Sequence, residues 1–144
     1  MNVSSRVDYA LSCILRIADK SDDGVPVTVG DIAGKEKLET DYVERLCVMM
    51  KRHGILKSVR GKSGGYELAR PADCISAKDV VLSIEKDVLV PVCFREKGRR
   101  RKCVHLKDCR IRFLWENLKK DMDLTLSKYK IDQLVRLRRK EKNW

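Results

Sequence analysis

Residues 55–69 read ILKSVRGKSGGYELA, and this stretch decides the fold of the 144-residue chain. Two short runs rich in apolar residues, Ile55 to Val59 and Tyr66 to Ala69, read as β-strands. The six residues between them, RGKSGG, contain too much glycine for anything but a turn. The pattern therefore predicts a β-hairpin, and the elements that precede it indicate what the hairpin is for.

Three helical segments are predicted ahead of the hairpin. Residues 5–19 carry one apolar stripe at helical spacing, made by Val7, Ala10, Leu11, Ile14, Leu15 and Ala18. A second helix begins at Thr28, with Asp31 as its capping-box partner. A third starts near Glu39 or Thr40 and ends at Gly54; its stripe is Val43, Leu46, Cys47 and Met50. Two short helices joined by a tight turn and followed at once by a hairpin are typical of a winged helix-turn-helix.

A winged helix-turn-helix places its second helix in the major groove of DNA, where the early residues reach base edges. In this chain those residues are Glu39, Thr40, Asp41, Tyr42, Glu44 and Arg45. At the tip of the wing, Arg60 and Lys62 are predicted to enter the minor groove, where narrowed A·T tracts attract cationic side chains. The backbone amides of the tip, at Gly61, Ser63, Gly64 and Gly65, are predicted to meet phosphates.

Composition agrees with a nucleic-acid partner. The chain has 32 Lys and Arg against 21 Asp and Glu, a net charge of +11, which favours a polyanion, although basic ribosomal and membrane-surface proteins share this balance. No apolar run approaches the ~20 residues that a spanning helix needs, and the N-terminus lacks the features of a signal peptide. We therefore expect a cytoplasmic protein without a membrane partner. In that compartment the six cysteines favour metal, redox or core roles over disulfides.

Beyond the hairpin the sequence predicts a helix over part of residues 71–87, capped by Ser76 with Asp79, and a long helix from about Arg110. The apolar residues of the long helix recur over more than four turns, at Ile111, Leu114, Trp115, Leu118, Met122 and Leu126. A stripe of this length after a completed domain favours packing against a second copy, so we expect a homodimer. The expected organisation is a DNA-binding domain over 1–90, a loop over 91–109, and a dimerisation helix with a short final helix and a solvated basic tail over 110–144.

The loop carries three cysteines in the stretch CFREKGRRRKCVHLKDC, residues 93–109. Nine residues separate Cys93 from Cys103, and five separate Cys103 from Cys109. Three thiolates fill three of the four protein positions of an iron–sulfur cluster. Nine Lys or Arg against two acids between residues 91 and 112 would stabilise anionic thiolates and an anionic cluster.

Other roles for these cysteines stay open. Zinc held by the three cysteines with His105 satisfies a Cys₃His count, and a cofactor-free DNA-binding module with incidental cysteines is a further alternative. A cysteine-dependent enzyme is disfavoured, because the only histidines, His53 and His105, come without a plausible orienting residue.

Four stretches together resemble the Rrf family of bacterial regulators, of the IscR, NsrR and RirA type. They are VDYAL at 7–11, DYVERL at 41–46, VRGKSGGYEL at 59–68, and the three-cysteine loop followed by FLW at 113–115. The resemblance implies a mainly α winged-helix homodimer, with a small β-hairpin wing and long crossed C-terminal helices, that binds pseudo-palindromic double-stranded operators. It also implies an iron–sulfur cluster on Cys93, Cys103 and Cys109, with 4Fe–4S favoured over 2Fe–2S and Asp8 of the partner subunit as fourth ligand. His105, between two of the cysteines, is the local alternative for that fourth position.

The chain departs from the IscR pattern at three places. The first two loop cysteines lie further apart, Arg112 stands where a histidine ligand follows the last cysteine, and Lys37 replaces the glycine of the helix-turn-helix turn. A left-handed Lys37 would cost on the order of 1 kcal/mol. The resulting hypothesis is a non-enzymatic repressor whose operator binding depends on the cluster, and which senses iron or cluster status, oxygen or nitric oxide.

Overall fold

A computed structural model describes residues 3–21, 23–62, 64–86 and 109–140 of the chain. In chain order its elements are α1 (Ser5–Ser21), α2 (Val29–Glu36), α3 (Thr40–Arg52), β1 (Leu56–Val59), β2 (Gly65–Leu68), a 3₁₀ turn (Ala72–Cys74), α4 (Ala77–Ile84), α5 (Arg110–Lys128) and α6 (Ile131–Lys140). This order confirms the predicted mainly helical fold with a two-stranded hairpin directly after a helix-turn-helix.

One apolar core lies between α1, α3 and α4. The face that α1 buries consists of Val7, Ala10, Cys13, Ile14, Ile17 and Ala18. Leu11 and Leu15 were expected within this stripe, but they are only partly buried at its border. The helix is therefore rotated so that Cys13 and Ile17 point inward. Cys47 of α3 is fully buried as well, which confirms its place in the predicted apolar stripe of that helix.

Local capping fixes where the helices begin. Thr28 Oγ1 accepts a hydrogen bond from the backbone N–H of Asp31 at 3.0 Å, at the start of α2. Ser76 and Asp79 form a complete capping box at α4: Ser76 Oγ accepts from the N–H of Asp79 at 3.2 Å, and the Asp79 carboxylate accepts from the N–H of Ser76 at 2.8 Å. Both caps were predicted from the residue spacing.

The recognition helix α3 ends in a Schellman motif. Gly54 has φ +66°, its N–H donates to the carbonyl of Lys51 at 3.0 Å, and the N–H of Ile55 donates to the carbonyl of Met50 at 3.1 Å. Ile55 therefore completes the helix end, and β1 begins one residue later than predicted. The sharp reversal carries the chain from α3 directly into the wing.

The wing is held on both sides of its second strand. β1 and β2 are antiparallel, with Leu56 opposite Leu68 and Val59 opposite Gly65. On the other edge of β2, Tyr66 exchanges two backbone hydrogen bonds with Val27, at 2.9 and 2.8 Å. Val27 directly precedes the cap of α2, so the wing is joined to the helix-turn-helix at its first helix.

The end of the chain returns to the N-terminal core. The N–H of Ala77 donates to the carbonyl of Tyr129 at 2.8 Å, and the N–H of Ile131 donates to the carbonyl of Ile75 at 2.9 Å. Ile131 is fully buried, and Val135 is 7% exposed. The final helix therefore packs as a further layer on the core, and it continues to Lys140. None of the described helices is long and apolar enough to cross a membrane.

Candidate nucleic-acid interface

α3 presents a polar face opposite its buried stripe. Val43, Leu46, Cys47 and Met50 point into the core. The early residues that the sequence assigned to base contacts are exposed, except for the half-buried Tyr42; the exposed ones are Glu39, Thr40, Asp41, Glu44 and Arg45. Glu39 occupies the N-cap position without a side-chain capping bond. These side chains are therefore accessible to a partner such as DNA.

Three further residues of α3 belong to this face, and the sequence analysis did not predict them as DNA contacts. Val48 and Arg52 continue the row of Asp41 and Arg45 at i, i+4, i+7 and i+11, so they lie on the same side of the helix. Arg52 and Lys51 are exposed, and Val48 is half-buried. The spacing rule that identified the buried stripe would have found the row, had it been applied to the polar residues. Arg45 and Arg52 add two cationic side chains to this row, which begins with the carboxylate of Asp41.

The flank of α3 that carries Glu44 and Lys51 faces the wing. The hydroxyl of Tyr66 donates to Glu44 Oε1 at 2.7 Å, and Lys51 Nζ donates to Ser58 Oγ at 2.7 Å. Burial raises the pKa of the Tyr66 phenol, and the hydrogen bond to the Glu44 carboxylate raises it further. The predicted base contact Glu44 therefore also ties the recognition helix to β2.

The tip of the wing presents Arg60, Gly61 and Lys62 to solvent. Gly61 has φ +119°, a conformation that favours glycine. Gly64 and Gly65 are less accessible, and both lie close to backbone: a Cβ on Gly64 would stand 2.6 Å from the carbonyl oxygen of Val59, and one on Gly65 would overlap the carbonyl of Val27. These two glycines are thus required by the path of the chain, whatever their amides contact. Ser63 lies outside the described residues.

The opposite flank of α3 faces the first two turns of α1. The rings of Tyr9 and Tyr42 meet edge to face, with centroids 6.0 Å apart and an interplanar angle of 87°. The guanidinium of Arg45 lies 6.0 Å from the centre of the Tyr42 ring, and Arg6 Nη2 donates to Met49 Sδ at 3.6 Å. The recognition helix is therefore bordered by the wing on one side and by α1 on the other.

The residues expected to hold a cofactor are only partly described. Cys93, Cys103 and His105 lie outside the described residues. Asp8 is exposed in the first turn of α1, and Cys109 is the half-buried N-cap residue of α5, with no side-chain capping bond. Within the described ranges no three His, Cys, Asp or Glu side chains lie together as a metal site would require. Arg112, at the position of the IscR-type histidine, has its Nε 2.8 Å from Glu116 Oε1.

The chain is similar in sequence to known transcriptional regulators. A family model described as Rrf2, iron-dependent transcriptional regulator, matches residues 3–137. A Haemophilus influenzae protein named as an HTH-type transcriptional regulator is 30% identical over 138 residues, which cover 96% of this chain and 89% of that protein. The HTH-type transcriptional regulator IscR of Erwinia tasmaniensis is 29% identical over 135 residues, covering 94% and 79% respectively.

Solved structures support the same fold. CymR of B. subtilis, described as its global cysteine regulator, superposes with a TM-score of 0.74 at 25% identity, over 95% of this chain and 98% of CymR. IscR of T. potens superposes with a TM-score of 0.71 at 24% identity, over 94% and 87% of the two chains. With a helix-turn-helix, a wing and an exposed polar face of α3 on one core, and a family match over nearly its whole length, the chain belongs to the Rrf2 family of transcriptional regulators.

Proposed function

We propose that this protein is a homodimeric repressor that binds double-stranded operator DNA and whose affinity depends on an iron–sulfur cluster. The observation that carries the DNA-binding part is the exposed row of α3 between the wing and α1. Asp41 and Arg45 lie in the N-terminal half of this row, within reach of base edges when α3 occupies the major groove. Arg60 and Lys62 at the exposed tip of the wing are suited to the minor groove and its phosphates.

The dimer part of the proposal rests on α5. This helix buries none of its 19 residues within the described chain, and large apolar side chains are exposed along it. Ile111 is 66% exposed, Phe113 71%, Leu114 60% and Leu124 61%. Several large apolar side chains left exposed on one helix favour a protein interface, and symmetric pairing of two copies would present two recognition helices to a palindromic site.

The cluster part rests on the three-cysteine loop of the sequence and on the setting of Cys109. The thiol of Cys109 lies at the N-terminus of α5, where the helix dipole favours a negatively charged ligand, and it is not engaged in capping. Cys93 and Cys103 would supply the other thiolates, and Asp8 of the partner subunit the fourth ligand. Such a cluster would supply sensitivity to oxidation and to molecules that bind iron. A fourth cluster ligand from the partner subunit would link cluster occupancy to the relative placement of the two reading domains, which are the winged helix-turn-helix parts of the two subunits.

The test compares Cys109→Ser with Cys74→Ser in protein purified without oxygen. Cys74 is an exposed cysteine of the 3₁₀ turn, so it controls for the loss of an accessible thiol. Serine is a favoured N-cap residue, so Cys109→Ser leaves the start of α5 intact or better capped. We expect Cys109→Ser to lose the visible absorption, iron and acid-labile sulfide and to change operator affinity, whereas Cys74→Ser retains all four.

The second candidate function is that of a DNA-binding regulator with the same fold but without a cluster. The match to CymR, whose description names cysteine regulation, favours a regulator that uses the same DNA-binding fold but responds to a signal other than the state of a cluster. Colourless wild-type protein that binds DNA with unchanged affinity before and after cluster reconstitution would select this function over the cluster sensor. Stoichiometric zinc in that protein would point to a structural Cys₃His site.

A further inference from the structure

The two flanks of α3 correspond to the two edges of a DNA groove. An α-helix with its side chains is about 10–12 Å across, and the major groove is about 12 Å wide. A helix seated in the groove therefore leaves its neighbouring elements over the phosphate backbones on either side. The wing occupies one side, and the first two turns of α1 occupy the other.

Arg6 is the cation at that second side. Its side chain is exposed, and the guanidinium Nη2 lies 3.6 Å from Met49 Sδ on α3. Among the ion pairs recorded for the described residues, none includes Arg6. A guanidinium that is positioned but not neutralised suits a phosphate, which it can bind through two N–H groups.

Tyr9 stands one turn further along α1 and supports the same surface. Its ring is fixed edge to face against Tyr42, yet 38% of the residue is exposed. A tyrosine hydroxyl is a common donor to DNA phosphates.

We infer that Arg6, with Tyr9 beside it, forms a phosphate-binding surface on α1 that clamps the DNA backbone across the groove from the wing. This inference rests on the proposed DNA-binding function and extends the interface to a helix outside the helix-turn-helix and wing. The contact is sequence-independent, so it strengthens binding to all duplexes alike and leaves base recognition to α3.

The test is the salt dependence of binding by the full-length protein, measured by fluorescence anisotropy. The probes are a random-sequence duplex of about 30 base pairs, long enough for two half-sites, and a duplex of equal length selected by the wild-type protein from a random library. The variants are Arg6→Gln, the charge-conserving Arg6→Lys, and Lys20→Gln as a control. Lys20 is an exposed cation in the last turn of the same helix.

The logarithm of the association constant falls linearly with the logarithm of the salt concentration, and Arg6→Gln is expected to make this slope less negative by about 0.9 for each subunit bound. Its affinity should fall by a similar factor for both duplexes, while Arg6→Lys and Lys20→Gln keep the wild-type slope. A slope unchanged in Arg6→Gln, or a loss confined to the selected duplex, would overturn the inference. So would an altered oligomeric state or visible spectrum in Arg6→Gln, since Arg6 would then serve the partner subunit. Wild-type protein that binds neither duplex would overturn the proposed function itself.

Discussion

Lys37 is the only non-glycine residue with positive φ in the part of the chain that the structure describes, at φ 55° and ψ 45°. It ends α2 and opens the turn of the helix-turn-helix, and the N–H of Leu38 donates to the carbonyl of Ala33 at 3.0 Å. The left-handed conformation that was expected from the missing turn glycine is therefore confirmed. The cost arises because Cβ of an L-residue crowds the following carbonyl.

Lys37→Gly should accordingly stabilise the protein. Removing the strain outweighs the added freedom of glycine in the unfolded chain, for a net gain of about 0.5–1 kcal/mol in the free energy of unfolding. Urea denaturation measures the change. Lys35→Gly, two residues earlier within α2, removes the same charge at a helical position and should destabilise by up to about 1 kcal/mol. If both substitutions changed the free energy of unfolding equally, the effect would come from the loss of charge and not from the backbone conformation of Lys37.

The two core thiols predict how stability depends on alkaline pH. Burial raises the pKa of Cys13 and of Cys47 from 9.0 to about 12, with smaller contributions from nearby carboxylates and, for Cys47, from Cys13. Above pH 9 the unfolded chain loses these protons first, so folding stability is full below pH 9 and falls as pH rises towards 12. The loss is at most about 1.4 kcal/mol per pH unit for each thiol.

Replacing both thiols isolates their contribution. The Cys13→Ala/Cys47→Ala variant is less stable at pH 8 because it leaves small cavities, but its free energy of unfolding should decline less steeply than that of the wild type between pH 9 and 11. Urea unfolding across this range gives both slopes. Parallel curves would mean that the thiols do not set the alkaline limit and that groups such as Tyr66 do.

At the scale of elements, the hydrogen bond between Tyr66 and Glu44 joins the wing to the recognition helix. Tyr66→Phe keeps the ring in the core, where the residue is 6% exposed, and removes only the hydroxyl. We expect a loss of about 0.5–1.5 kcal/mol in stability, together with weaker operator binding, because Glu44, a proposed base contact, loses the hydrogen bond that fixes its position. Tyr129→Phe, at a residue 48% exposed, is the matched control. Operator affinity equal in wild type and Tyr66→Phe would show that the wing is positioned by its backbone alone.

The elements that were predicted well are those defined by local contacts. Ser76 and Asp79 are three residues apart, so the capping box of α4 could be recognised from their types and spacing. The bridge between Val27 and Tyr66 joins residues 39 positions apart, and no spacing rule points to it. For the same reason the sequence could not show that a side chain on Gly65 would collide with the carbonyl of Val27, and the predicted phosphate contact of Gly65 stays a prediction.

The residues of the candidate site also differ in whether local sequence or distant packing determines their position. The early residues of α3 were predicted because the order of elements identifies a recognition helix. Arg6 and Tyr9 were not, since their place beside α3 depends on how α1 packs. Asp8 was singled out only through a family resemblance, and its role as a ligand stays a prediction together with those of Cys93, Cys103 and Cys109.

At the scale of the whole molecule, both ends of the chain build the reading domain. Ile131 and Val135 of α6 complete the core that α1 begins, and the backbone bonds of Tyr129 and Ile131 hold the end of α5 against the segment before α4. The C-terminal half of α5 rests on α4, where Lys78 Nζ lies 3.4 Å from the Asp123 carboxylate. A dimer joined through the rest of α5 would therefore transmit its geometry directly to both reading domains.

This arrangement predicts the effect of Leu114→Glu. Leu114 is 60% exposed near the start of α5, so the substitution leaves the fold of one chain intact but places a charge in the proposed interface, where it cannot be solvated. Sedimentation velocity should show a dimer for wild type and a monomer for Leu114→Glu. Operator affinity should fall on the order of 10²-fold, because the second half-site is no longer bound at high effective concentration.

Leu137→Glu is the matched control for that experiment. Leu137 is 50% exposed on α6, a helix outside the proposed interface, so the same substitution should leave both the dimer and the operator affinity unchanged. A dimeric Leu114→Glu protein would place the interface elsewhere. A monomeric protein with undiminished operator affinity would show that one reading domain suffices, and the exposed face of α5 would then require another partner.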